Sequence, residues 1–381
     1  MLLTADNHLD PTVLQFGPKR MERKADYLKC FDVAFNYALE NKPDLFLVSG
    51  DLHDSVLPRN PPRALMVSHF RELHDKGIRV FLIGGHHDTP RSVEHGSSPL
   101  AVYGNSGYAT FFQSTVEPGK AIVDVSGKRV FIAGVSYNPD LPPGADPLEK
   151  LSQKPEGDIN IFMLHYPIEG FRGFFGYEPQ VRATSVPTGF QLIAAGHLHQ
   201  HQKRKIQNGD AIYPGSTERK SFLEEGEEKG FVWLELDETG VLYDEFIKTP
   251  ARKMESCDFN LPDKGNVSEI LKGQLERFVD PELILRVRLL GSIDADLLTT
   301  YRRPALLSDF AGKFFYLWID DKSMDVSTGG PIEALPRTTP LQELRRYYTA
   351  AIGEAATEEK KQQLDEALRL SEKMLEEEGA W

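Results

Sequence analysis

The sequence predicts an α/β fold: a mixed two-sheet sandwich flanked by helices, then a small βαβαβ capping domain and a C-terminal helical tail. Three observations predict it. Strand-like apolar runs alternate with helical patterns from Met1 to about Leu242. After Gly119 the runs turn β-rich, which favours two mixed sheets over one parallel sheet. Beyond Thr249 a strand, helix, strand, helix, strand order forms a second, smaller unit.

The elements follow in order. Residues 2–5 form an apolar run that opens the chain, and 21–39 reads as a helix, with Tyr27, Phe31, Ala34, Phe35 and Ala38 near helical spacing. The run 45–49 is a strand turned out by Gly50; 61–76 is a helix stopped by Gly77, and the strand 78–83 follows at once. Further strands are expected at 121–125, 129–135, 159–164, 192–195, 211–213 and 231–236. In the second unit, strands at 256–261, 283–290 and 314–319 enclose helices at 267–278, at 294–298 and after Pro304. Thr328-Gly329-Gly330-Pro331 and Pro336 to Pro340 are linker chemistry. The tail has Leu341, Leu344, Tyr347 and Tyr348 on one helical stripe and Leu364, Leu368, Met374 and Leu375 on another, so it either packs on its own domain or docks a partner. The expected borders are 1–248, 249–327, a linker 328–340 and a tail 341–381.

Composition narrows the class. With 381 residues, 40% hydrophobic and 27% charged, the chain is an ordinary globular one, and no apolar stretch approaches a membrane span. The start carries no basic and apolar leader, so a cytoplasmic location is expected. Cys30 and Cys257 are far apart and fit neither a metal nor a redox spacing. A net charge of −13 argues against a generally basic nucleic-acid binder, although Lys203-Arg204-Lys205, Arg219-Lys220 and Arg302-Arg303 are local basic clusters. A solvated surface is the first reading of each.

Five polar clusters close apolar runs: Asp6-Asn7-His8, Gly50-Asp51, Gly85-His86-His87-Asp88, His165 and Gly196-His197-Leu198-His199. Ligands of open α/β sheets gather outside the carboxyl ends of strands, so these clusters should converge. Asp6 and His8 are two apart and should share a strand face, as should His197 and His199. Asp51 could bridge two cations. Any one of these residues alone is weak evidence, and His165 alone would read as a core histidine. The joint pattern is not weak: seven of the 11 histidines lie in these clusters or at His53. Imidazole and carboxylate donors without thiolate suit Mn²⁺, Fe²⁺ or Zn²⁺. Two such ions can generate a hydroxide and clamp an in-line displacement at phosphorus. His87 is the candidate to protonate the leaving oxygen, with His86 occupied as a ligand.

These motifs resemble those of the calcineurin-like metallophosphoesterases: Asp-x-His, Gly-Asp, Gly-Asn-His-Asp/Glu, His and Gly-His-x-His. Within them, the segment from Tyr213 through Pro-Gly-Ser-Thr-Glu-Arg-Lys-Ser to Phe222 resembles the DNA-repair nucleases of the SbcD / Mre-eleven type. Ser97-Ser98-Pro99-Leu100 and the stretch from Leu283 to Gly291 point the same way. The resemblance implies a Mn²⁺-dependent DNA exonuclease and endonuclease that processes double-strand breaks, dimerises, and partners an SbcC/Rad-fifty type ATPase through its C-terminal helices. It implies one metal on Asp6, His8, Asp51 and His199, and a second on Asp51, His86, His165 and His197. Two departures stand out. His86 replaces the family's Asn, and the histidine that many relatives place three residues after Asp51 is here Asp54, with His53 beside it as a further catalytic candidate. Two other readings stay open: a phosphodiesterase or phosphatase for small molecules, and a scaffold for the ATPase whose site has decayed at His86.

Overall fold

A computed structural model describes residues 1–92, 96–173, 178–327, 340–355 and 357–377. Of the expected linker 328–340, all but residue 340 lies outside this range, as do the last residues, 378–381.

The α/β expectation is borne out. The first sheet takes β1 (Leu2–Thr4), β2 (Leu45–Ser49), β3 (Arg79–Ile83), β4 (Thr110–Phe112), β11 (Gly230–Asp237) and β12 (Gly240–Lys248), in the order β12-β11-β1-β2-β3-β4. The second takes β5 (Gly119–Val125), β6 (Lys128–Gly134), β7 (Ile159–His165), β8 (Leu192–Gly196), β9 (Gln202–Ile206) and β10 (Gly209–Tyr213), in the order β5-β6-β7-β8-β10-β9. Strands β1 to β4 are mutually parallel, as are β6, β7, β8 and β10, and the remaining strands close each sheet in antiparallel fashion.

Alternation along the central strands builds three layers. Leu3, Leu45, Leu47, Phe81 and Ile83 face Ile132, Ile161, Met163, Leu192 and Ala194 between the sheets. Leu2, Phe46, Val48 and Leu82 face the other way, onto α1 (Arg20–Asn41) and α2 (Asn60–Asp75) through Phe31, Ala34, Phe35, Met66 and Phe70. Phe131, Phe162, Ile193 and Tyr213 cover the outer face of the second sheet. Strands buried on both faces read as unbroken apolar runs, which is why β2, β3 and β8 were plain in the sequence. A short helix, α3 (Ala101–Asn105), precedes β4.

The expected βαβαβ module follows. β13 (Met254–Asn260), β14 (Asp280–Asp294) and β15 (Phe314–Asp320) are parallel, with α4 (Val267–Leu275), α5 (Ala295–Leu298) and α6 (Arg303–Asp309) in the connections. Two compact units emerge from the chain. The first holds 1–260, 268–290 and 302–323; within it Val13 and Phe16 pack with Met254, Ile284 and Phe315, and the Arg252 guanidinium lies 3.7 Å from the Phe315 ring centre. The second holds 261–267, 291–301 and 324–381. In it the end of β14 pairs with β16 (Met324–Ser327). The tail is helical there, as α7 (Pro340–Glu354) and α8 (Glu358–Glu377), joined by an Arg345–Glu372 ion pair of 2.7 Å. Among the described residues no helix is long and apolar enough to cross a membrane.

Candidate metal centre

β1, β2, β3 and β8 each end in a loop that carries donor side chains, and β7 ends on one, His165. The two sheets are stitched together at this edge. Ser49 Oγ donates to the Ala194 carbonyl at 3.0 Å, and His165 Nδ1 donates to the Ser49 carbonyl at 2.7 Å.

The loop after β1 leaves the pleat at once, because Asp6 and His8 are left-handed, with φ of 51° and 46°. Their placement on one strand face is therefore corrected. They are positioned instead by the loop after β2: the N–H groups of Asp6, His8 and Leu9 donate to the carbonyls of Gly50, Asp51 and Leu52 at 3.1, 3.0 and 2.9 Å. Asp51 (φ 51°) and His197 (φ 97°) are left-handed too, so His197 and His199 do not share a strand face either. Each such residue costs on the order of 1 kcal/mol, and such strain clusters at functional sites. Glycine leaves the room the crowded centre needs. A Cβ at Gly50 would strike the His165 ring, one at Gly85 the Asp51 carboxylate, and one at Gly196 the Ser49 carbonyl.

Asp51 stands in the middle. Its Oδ2 lies 3.3 Å from His165 Nε2 and 3.8 Å from His8 Nε2, while its Oδ1 accepts the His87 N–H at 2.7 Å. Asp6 Oδ1 is 3.8 Å from His165 Nε2 and 3.9 Å from His199 Nε2, and both Asp6 oxygens accept the His197 N–H. His8 Nε2 and His199 Nε2 are 3.0 Å apart.

The outer ring nitrogens fix the tautomers. His199 Nδ1 donates to Glu224 at 3.0 Å, while His8 Nδ1 lies 3.1 Å from Asp54 Oδ1 and His197 Nε2 lies 2.6 Å from a Glu178 oxygen. Protons held outside leave lone pairs inside, the usual preparation of imidazole for a metal. The donor set therefore fits divalent cations. Two imidazole lone pairs face each other at 3.0 Å, and His165 Nε2 is buried without a hydrogen-bond partner beside two carboxylates. Asp6, His8 and His199, and separately Asp6, Asp51 and His165, bring their donor atoms within 4.8 Å of one another.

Electrostatics agree. Burial, above all, pushes His8 down to about 4, so its ring is neutral. Burial also opposes charge on His165, but Asp51 and then Asp6 outweigh it and raise the group to about 9. In return His165 and His8 hold Asp51 well below the usual carboxylate range despite its burial.

The remaining predicted residues separate. His86 Nε2 accepts from the Arg91 guanidinium at 2.6 Å, and its ring centre lies 6.2 Å from that of His197. A guanidinium only donates, so this lone pair is engaged by Arg91. Burial first, and then Arg91, push His86 down to about 4. His87 donates from Nδ1 to the Asp54 carbonyl and accepts at Nε2 from Lys220 Nζ, each at 3.1 Å. His53 takes no part in the cluster. It is fully buried, with Nε2 2.6 Å from the Tyr103 hydroxyl, and the next residue, Asp54, is the one that faces His8.

Sequence reasoning missed the supports. Asp54 and Lys220 read in the sequence only as a departure and as part of a basic cluster, Glu178 lies in a loop, and Glu224 closes a single 3-10 turn, so none has a periodicity to mark its role. Asp88 was visible in its motif, but its role was not. Its carboxylate accepts the N–H groups of Gly85, Leu52 and His53 at 2.6, 2.9 and 3.3 Å and so ties two donor loops together; burial and then Asp51 raise it to about 7. Glu218 forms a second node. It accepts the backbone N–H groups of Arg219 and Arg252 at 2.7 and 2.9 Å and pairs with Arg23, which bonds Asp26 on its own helix. The basic clusters are largely engaged: Lys203 with Asp244, Lys205 with Asp210, and Arg219 with the carbonyls of Ala251 and Arg252.

Known proteins resemble this chain in sequence. The DNA double-strand break repair protein Mre11 of Methanocaldococcus jannaschii is 28% identical over 72% of this chain and 72% of its own length. The protein of that name in Methanococcus maripaludis is 29% identical over 58% of this chain and 57% of its own, and that of Thermoplasma acidophilum 31% over 52% of each. The chain thus spans little more than half the length of the last two. Residues 1–201, which include every metal donor of the centre, match the calcineurin-like phosphoesterase family. With that match over more than half of the chain and the donor loops at its strand ends, this protein belongs to the calcineurin-like phosphoesterases.

Proposed function

We propose that the chain is a two-metal DNA nuclease that processes the ends of double-strand breaks. One observation carries the two-metal reading: the Asp51 carboxylate lies against both His165 and His8, so one anion stands between two sets of imidazoles. Asp6, His8, Asp51 and His199 would hold one cation, and Asp51, His165 and His197, with His86 released from Arg91, a second. Mn²⁺ is the preferred ion. Bound there, the cations supply a water acidic enough to attack phosphorus and charge to offset the phosphate's.

The chain's own groups do the rest. Glu224, Glu178 and Ser49 hold three ligand rings in register, and Asp88 fixes the loops that carry Asp51 and His87. His87, anchored through Nδ1 and one-third exposed, is the group placed to serve the leaving oxygen. The relatives named for double-strand break repair support DNA as the substrate. The layout that accompanies this reading is a nuclease domain at 1–248, a cap at 249–327 and a helical tail that docks an SbcC/Rad-fifty type ATPase. A homodimer working in the cytoplasm, on the nucleoid, completes it.

The test incubates the purified chain with labelled duplex and single-stranded DNA under Mn²⁺, Mg²⁺ and EDTA, beside Asp51→Ala and His87→Ala. Degradation that requires Mn²⁺ and disappears in both variants is expected. Hydrolysis of a small phosphodiester in place of DNA would overturn the substrate.

A further inference from the structure

Among the described residues Lys220 is the one cation that touches His87, and the mechanism above gives it no part. Its Nζ lies 2.7 Å from Asp54 Oδ1, 3.1 Å from His87 Nε2 and 3.3 Å from His8 Nδ1. The side chain is 28% exposed, so a substrate can reach it. The position is built. Lys220 donates its backbone N–H to Glu224, the carboxylate that also holds His199, and the preceding residue is pinned through Glu218.

The ion pair with Asp54 uses only one of the three N–H groups of this ammonium, and a cation beside a centre meant for divalent metals is electrostatically costly. The cost is offset when a polyanion enters. A phosphodiester gains charge on its non-bridging oxygens during displacement, and a fixed donor aimed at those oxygens stabilises that change. Because Nζ and His87 Nε2 are 3.1 Å apart, a single phosphate group can place one oxygen on each. We propose that Lys220 is a catalytic residue: its ammonium binds a non-bridging oxygen of the scissile phosphate, exchanging its contact with His87 for one with the substrate. This rests on the phosphodiesterase reading.

The test uses the full chain with Mn²⁺, as wild type, Lys220→Met and Lys220→Arg. Inorganic phosphate is titrated calorimetrically, turnover of bis(p-nitrophenyl) phosphate is measured, and bound Mn²⁺ and melting temperature are recorded. Lys220→Met should weaken phosphate binding about tenfold and lower kcat by about a hundredfold. Lys220→Arg should recover part of both, with bound Mn²⁺ unchanged. Equal phosphate affinity in wild type and Lys220→Met would overturn the proposal, as would loss of bound Mn²⁺ in place of phosphate affinity, since that would assign Lys220 to holding Asp54. Wild type that binds phosphate through Lys220 yet hydrolyses no diester would sink the function reading and leave this one standing.

Discussion

His165 is the group whose positive charge a metal ion would replace, and that exchange can be measured. Burial opposes its protonation, yet Asp51 and Asp6 raise it from 6.5 to about 9. A histidine whose folded pKa exceeds its unfolded value contributes stability that is complete below pH 6.5 and lost as pH climbs through about 9. The difference corresponds to roughly 3 kcal/mol, and the ring is wholly buried, so solvent does not screen it. In EDTA the melting temperature should therefore fall by about 2 °C between pH 7.5 and 9.5. Asp88, raised to about 7, is mostly ionised at the lower edge of that window, and the His165→Asn comparison cancels what remains of its titration. His165→Asn cannot carry the charge and should lose the slope. A cation that displaces the proton should also release about one proton per chain near pH 8, seen as buffer-dependent heat in calorimetric Mn²⁺ titrations. Equal slopes in wild type and variant, with no buffer dependence, would refute the exchange.

Three more outcomes are expected. Glu224→Gln keeps an acceptor for His199 but loses its 2.7 Å pair with Lys229, and should lower Mn²⁺ affinity by about 10- to 100-fold in equilibrium dialysis; unchanged affinity would remove Glu224 from the centre. Arg91→Ala frees the His86 lone pair and should tighten the weaker Mn²⁺ site about tenfold, read by electron paramagnetic resonance of unbound Mn²⁺; no change would set His86 outside the ligand set. Asp88→Ala strips the acceptor from three backbone N–H groups, at a cost of about 3 kcal/mol or more in urea denaturation. A loss below about 1 kcal/mol would mean those groups find other partners.

The parts of this protein that could be read from sequence share a physical cause. β2, β3, β7 and β8 are buried on both faces, so their apolar runs are unbroken and the Asp or His that ends each is conspicuous. β9 and β12 are edge strands with mostly exposed side chains; Gln202 to Ile206 reads as a basic cluster, and β12 escaped notice. At the centre the residue types were legible but their directions were not. Left-handed φ at Asp6, His8, Asp51 and His197 overrides the two-residue alternation of a strand, and only the hydrogen bonds between the first two loops reveal how Asp6 and His8 meet. The exchange of His53 for Asp54 has the same origin, since one step along a turn decides whether a side chain meets Tyr103 in the core or His8 at the centre.

The Glu218 node has a mechanical meaning. One carboxylate is bolted to three parts at once: Arg23 on α1, Arg252 at the entrance to β13, and the N–H of Arg219, next to Lys220. Arg252 is clamped in turn to Asp26, one helical turn beyond Arg23, at 2.6 and 2.7 Å. Because the side chain is buried, water cannot replace a bond that is broken there. The start of β13, helix α1 and the residue before Lys220 thus share one buried anchor, so loss of the Glu218 carboxylate would loosen all three together.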